Sequence, residues 1–299
     1  MVNILWFEDI SDDDLNLVGG KGLNLGLMVK QGFPIPPGYC VTSEVYFNFI
    51  ENKEIKTKIQ DILSNLDVEK TDDLQKTSKD IEELFLNKEI SDDMKEILNE
   101  PFKKLKNSNE IHTAVRSSAT AEDLPGASFA GQQETYLGVD EENYIESVKK
   151  CWASLFTARA IYYREKNDFN HMDVGISVIV QKLIDANVAG VAFSKHPSTG
   201  ENKVIIEAGL GLGDSVVSGS ITPDTYTIDP SEWKILDKEI SNQDFKRIRK
   251  GNKTKDIDLS EDEGNEQKLP DKEIIKLAKI VKHIEDYYGE GQDIEWAYT

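Results

Sequence analysis

Cysteine and histidine are scarce in this chain, with two and four copies among 299 residues. Cys40 and Cys151 are far apart, each in an apolar setting (GYCVT and KCWASLF). They read as buried free thiols, not as a disulfide framework or a C-x-x-C redox pair. Without a C-x-x-C pair or a histidine cluster, a zinc site has no ligand set. His112, His171, His196 and His283 are scattered, and none has the spacing of a Ser-His-Asp or Cys-His nucleophile. Long hydrophobic runs are missing too. No stretch approaches the roughly 18 apolar residues of a membrane span. The N-terminus MVNILWFEDISDDD has no basic segment followed by an apolar one. A cytoplasmic protein with no membrane partner is expected. Positive charge is in deficit, 35 Lys and Arg against 55 Asp and Glu for a net charge of -20. Such a surface repels a phosphate backbone, so no nucleic-acid partner is expected.

What is present suits a globular enzyme-sized fold. The hydrophobic fraction is 38% and the aromatic fraction 8%, enough for a sizeable core in one large domain or two lobes. NILWFEDI reads as a short strand. VGGKGLNLGLMVKQG reads as a helix opened by a glycine pair and closed at Gly32, with Leu23, Leu27 and Met28 on one face. The prolines of FPIPPGYCVT impose an extended segment, after which Thr42 or Ser43 can cap a helix. Residues 53–107 are rich in Lys, Glu, Asp, Leu and Ile at helical spacing, with Thr71 and Ser91 where N-caps belong, and read as a polar helical insertion. IHTAVR is strand-like, a run of small residues reads as a loop, and ETYLGV returns as a strand. ENYIESVKKCWASLFTARAIYYREKN has one long helical pattern, with Trp152, Leu155, Phe156 and Ile161 inward. Four β-like runs follow in VGISVIVQKLI, VAGVAFSK, KVIIEAGL and PDTYTID. The charged segment 241–267 reads as a loop. A last helix leads into QDIEW, the start of a terminal strand. The order is mixed α and β without regular alternation.

A few positions carry chemistry. In GGKG the glycines let backbone amides approach an anion at a helix start, and Lys21 adds a point charge. Taken alone, the pattern favours a solvated surface lysine. Arg116 closes a buried strand, where an unpaired charge is costly. Its planar fork fits a phosphate or an acidic partner with equal ease. The small residues behind it allow a loop to lie close over a phosphate chain, with Leu124 and Phe129 as anchors. Gln181 ends an apolar strand, where backbone groups can read a heteroaromatic edge. QDIEW puts Asp293 and Glu295 on one strand face and Ile294 and Trp296 on the other. Such carboxylates suit Mg²⁺ shared with a polyphosphate. Glu207, in VIIEAGLGLGD, is another carboxylate before a glycine-rich turn, but that turn lacks the dinucleotide-binding spacing.

GGKGLNLG, PPGYCVT, AVRSSATAEDLPGASFAGQQETYL, CWASLFTARAIYYR and QDIEW, in this order, resemble the ATP-binding domain of the phosphoenolpyruvate synthase and pyruvate phosphate dikinase family. Rifampin phosphotransferases and glucan water dikinases belong to the same family. The resemblance implies an α+β, ATP-grasp-type fold with two lobes closing on MgATP. It sets an N-terminal lobe at 1–183, with the helical insertion, and a C-terminal lobe at 184–299. It also implies site roles. Lys21 and Arg116 hold the triphosphate and serve catalysis. Gly131 and Thr135 contact the nucleotide, Gln181 sits at the adenine hinge, and Glu295 is a Mg²⁺ ligand. The expected partners are a phosphohistidine carrier domain and an acceptor-substrate domain, on the same longer chain or on a separate subunit. The family continues past QDIEW into a strand ending in Q-[AS]-R-P, so the chain is expected to stop before its final strand and to be incomplete for turnover.

Overall fold

The computed structural model describes residues 2–51, 53–106, 112–120, 134–251 and 253–299. Gly131, Leu124 and Phe129 lie outside them. The chain divides into two compact units, residues 1–183 and 184–299, each mixing helices with an antiparallel sheet.

In the first unit the elements are β1 (Ile4–Trp6), α1 (Leu15–Lys30), β2 (Gly38–Val41), α2 (Ser43–Ile50), α3 (Lys53–Ser64), α4 (Thr71–Asn87), α5 (Asp92–Lys106), β3 (Thr113–Ala119), β4 (Thr135–Val139), α6 (Tyr144–Ala153), α7 (Ala158–Lys166) and β5 (Ile176–Lys182). The strands pair in the order β1-β2-β5-β3-β4. Because strand side chains alternate, the sheet has two different faces. Tyr39, Val41, Val115, Val178 and Val180 join the main core with Tyr46, Phe85, Trp152 and Phe156. Cys40 and Ile179, on the other face, pack with Phe7, Ile10 and Val18 under α1. Both cysteines are free and buried.

Two expectations are corrected here. The fully buried residues of α1 include Val18, Gly22 and Gly26, while Leu23 packs partly buried against the small core. A Cβ on Gly22 would come within 2.9 Å of Cys40 Sγ, and one on Gly26 within 2.5 Å of Ile10 Cβ. A glycine stripe therefore brings the helix axis close to the sheet. The glycine pair does not open α1 but breaks it, at Gly19 with φ 68° and ψ 171°. The pattern read as one long helix is two. Thr157 is extended (φ -61°, ψ 150°), and its side chain accepts from the Ala160 amide as the N-cap of α7. The turn lets Leu155, Phe156 and Ile161 all reach the core.

A buried polar cluster ties α7 to the segment after it. Arg164 is fully buried, and its Nε donates to His171 Nδ1 at 2.9 Å. Its guanidinium also donates to the Leu155 carbonyl. With Nδ1 accepting, Nε2 carries the histidine proton and donates to Glu165 at 2.6 Å. Burial first, and the Arg164 charge second, hold His171 below its ordinary value of 6.5. A base whose folded value is depressed favours the native state above its unfolded value and loses that contribution as pH falls. The expected outcome is a melting temperature that declines as pH is lowered from 7 toward 5, with a shallower decline in His171→Gln. An identical slope in that variant would remove His171 as the cause.

The second unit contains β6 (Val188–Phe193), β7 (Val204–Leu210), α8 (Asp214–Val217), β8 (Asp224–Asp229), β9 (Lys234–Glu239), β10 (Phe245–Lys250), β11 (Lys253–Asp258), α9 (Glu261–Asn265), α10 (Asp271–Tyr288) and β12 (Asp293–Tyr298). Its sheet runs β12-β6-β7-β8-β9. One face carries Ala192, Ile206, Tyr226, Ile294 and Trp296 against Ile274, Ala278 and Val281 of α10. The segment read as a loop is instead the hairpin β10–β11 followed by α9. Polar bonds anchor it. Arg247 forks onto its cross-strand partner Asp256 at 2.7 and 2.9 Å and reaches Asp214 at 2.9 Å. Low hydropathy hid it because its pairing energy is electrostatic and its backbone bonds leave no mark on composition.

Candidate functional site

The face of the first sheet that meets α1 carries Arg116, Thr135 and Gln181. Ser118 identifies this face, since its Oγ donates to the Val18 carbonyl of α1 at 2.9 Å and accepts from the Gly22 amide at 3.4 Å. Arg116 lies two residues earlier on β3, so it shares that face. The register sets Thr135 of β4 on one side of Arg116 and Ile179 of β5 on the other. Gln181 is opposite Ala114, again on this face. Lys21 is exposed in the first turn after the break at Gly19, where the positive end of the helical segment 20–30 lies.

One detail differs from expectation. Arg116 does not end its strand, because β3 continues through Ser117, Ser118 and Ala119. The small residues there make room for α1. A Cβ on Gly19 would lie 2.4 Å from Ser118 Oγ and 2.7 Å from the Ser118 carbonyl. Gln181 is buried, and its Nε2 donates to the Pro36 carbonyl at 3.1 Å. The next two amides donate to Pro37 and His112 carbonyls at 2.9 Å each. The strand end is thus tied to the proline-rich segment.

In the second unit the sheet face opposite α10 is acidic. Glu295 of β12 is paired with Val191, which in turn pairs with Glu207 of β7. Asp293 lies two residues from Glu295 on the same face. Partial burial, and then the neighbouring Glu295 charge, push Asp293 above the usual carboxylate value. Burial and then Asp293 do the same to Glu207. Carboxylates raised by partial burial and then by a neighbouring like charge gain from a cation nearby, and their hard oxygens fit Mg²⁺. Among the described residues no group of three or more His, Cys, Asp or Glu forms a complete metal cage. Sequence reading sets Asp293 and Glu295 on one face as carboxylates suited to Mg²⁺, and the resemblance implies Glu295 as the ligand. The cross-strand relation to Glu207 depends on the β6–β7 pairing, which no local pattern announces.

Known proteins resemble this chain over nearly its whole length. The profile described as pyruvate phosphate dikinase, AMP/ATP-binding domain, matches residues 15–299. A probable phosphoenolpyruvate synthase of Archaeoglobus fulgidus is 47% identical over 297 residues, covering 98% of this chain and 39% of that protein. One from Methanothermobacter thermautotrophicus is 42% identical, covering 98% of this chain and 44% of its own length. A rifampicin phosphotransferase of Bacillus subtilis is 41% identical over 300 residues, covering 98% of this chain and 34% of that protein. The chain thus spans less than half the length of these relatives. With a match over residues 15–299, the chain belongs to the pyruvate phosphate dikinase AMP/ATP-binding domain family.

Proposed function

We propose that this chain is the nucleotide-binding, phosphoryl-donating part of a pyruvate, water dikinase-like (phosphoenolpyruvate synthase-like) enzyme. The observation that carries this reading is the sharing of one sheet face by Arg116, Thr135 and the glycine turn bearing Lys21. Arg116 forks onto the triphosphate and Lys21 neutralises it from the helix end. Thr135 and Gly131 contact the nucleotide, and Gln181 supports the segment that borders the adenine. Glu295 would hold Mg²⁺, which when bound neutralises phosphate oxygens. The fold proposed is of ATP-grasp type, with the two units as its lobes.

In the reaction a histidine nitrogen of a carrier domain attacks the β-phosphorus and the bond to the α-phosphate oxygen breaks, so AMP leaves. Water then takes the γ-phosphate as inorganic phosphate, and the carrier keeps the β-phosphoryl group for an acceptor bound elsewhere. Lys21 and Arg116 contribute by placing charge where it accumulates on the transferring group. A rifampin phosphotransferase-like enzyme is the second reading, favoured by the 41% identity to the Bacillus subtilis protein. Both readings share this donor half-reaction and differ only in the acceptor.

The test is to incubate the chain with ATP labelled at the β-phosphate and a carrier-domain fragment. Label is expected on a carrier histidine, with AMP released, only when Mg²⁺ is present, and Glu295→Gln is expected to reduce it severely. ATP binding without any labelled histidine would leave a nucleotide-binding module that does not donate.

A further inference from the structure

An unbroken helix would join the Val18 carbonyl to the Gly22 amide, since they are four residues apart. The backbone of Gly19 is far from helical, which opens that rung. Ser118 Oγ takes both of its ends, donating to the carbonyl at 2.9 Å and accepting from the amide at 3.4 Å. The hydroxyl thus stands where one helical hydrogen bond is missing, and it comes from β3, 96 to 100 residues away in sequence. Ser118 is fully buried, so water cannot take over the role. Gly19 completes the fit, because any side chain there would strike Ser118 Oγ and the Ser118 and Ala119 carbonyls within 2.9 Å.

We propose that Ser118 is a positioning residue for the triphosphate. Its hydroxyl clips the turn at 19–22 onto β3 and so holds Lys21 in fixed relation to Arg116, two residues from Ser118 on the same strand. The inference rests on the reading that Lys21 and Arg116 take the triphosphate. Without the hydroxyl the turn has two ways to relax. Either Gly19 turns helical and Val18 bonds directly to Gly22, or the turn lifts from the strand to let water reach both groups. Each swings Lys21 away, since a change of backbone dihedral at Gly19 rotates everything after it. Buried polar groups are not left unpaired when a small movement can satisfy them.

Calorimetric binding of ATP and of adenosine to Ser118→Ala, Lys21→Ala and the double variant tests this, alongside amide exchange in the ligand-free chain. Ser118→Ala is expected to weaken ATP about tenfold, the worth of one charge-assisted contact, and to leave adenosine unchanged. In the Lys21→Ala background the same substitution is expected to have no further effect on ATP, because its influence passes through that lysine. The Gly22 amide is expected to exchange faster in ligand-free Ser118→Ala than in the parent chain. Equal loss of ATP and adenosine, or a Ser118 effect that persists in the Lys21→Ala background, would overturn the proposal. If Lys21→Ala alone leaves ATP affinity intact, the fault lies in the functional reading and the clip has nothing to position. Should Ser118→Ala fail to fold, Gly19→Ala disturbs the same contact from the helix side. It is expected to show the same ATP-selective loss, and unchanged ATP affinity there would equally sink the idea.

Discussion

Arg116→Ala is expected to bind ATP roughly 10- to 100-fold more weakly while its affinity for adenosine hardly changes. Arg116 is half-buried in the middle of β3, between Thr135 and Ile179. Its backbone bonds belong to the ladder and survive truncation, so the sheet persists. What is lost is the planar, permanently charged fork, which no neighbouring side chain on β3 can replace. A guanidinium contact to phosphate is worth about 1.5–3 kcal/mol as a charge-assisted hydrogen bond. Arg116→Lys keeps the charge but not the two-point geometry and should fall between parent and alanine. Titration calorimetry with ATP and adenosine on all three proteins decides the matter. A parallel loss of both ligands would mean that Arg116 braces the sheet and does not hold phosphate.

The second large effect concerns stability. Lys268 and Asp224 form an ion pair at 3.0 Å with both side chains completely inaccessible to water. Every polar atom of the pair is occupied. Lys268 Nζ also donates to the Ser241 and Gly264 carbonyls at 2.5 and 2.7 Å. Asp224 accepts from the Lys268 amide at 2.8 Å, the Tyr226 hydroxyl at 2.7 Å and the Ser241 amide at 3.1 Å. This network joins the start of β8 to the segments on either side of the β10–β11 hairpin. Lys268→Met leaves a buried carboxylate with no cation and two carbonyls without a donor. The expected cost is about 3–5 kcal/mol, seen as a fall of roughly 10 °C in melting temperature. Adding Asp224→Asn removes the stranded charge and should recover a large part. A Lys268→Met chain that melts within about 1 kcal/mol of the parent would show that water reaches the pair.

Much of this molecule was legible along the chain. β1, β2, β4, β5, β6, β7, β8 and the start of β12 all lie in stretches whose apolar and β-branched residues mark a strand. The inward set Trp152, Leu155, Phe156 and Ile161 was marked by spacing, although the turn at Thr157 between its members was not. The hairpin β10–β11 was missed because its strands are charged on both faces, and β9 because its alternation is weak. Both are held by neighbours that hydropathy does not register.

The site divides in the same way. Composition and motif order determined the residue types, a lysine after glycines, an arginine among small residues and carboxylates on a last strand, and with them the class of ligand. Local periodicity also determined that Asp293 and Glu295 share a face, because the strand repeat is two residues. Only the tertiary structure decided that Arg116 stands beside Thr135, that Glu207 joins Glu295 across β6, and that Ser118 bridges the break in α1. Those relations are pairings between segments up to about a hundred residues apart. A sequence states what each segment can bury or bond, and the packing of sheet against helix selects which partner it meets.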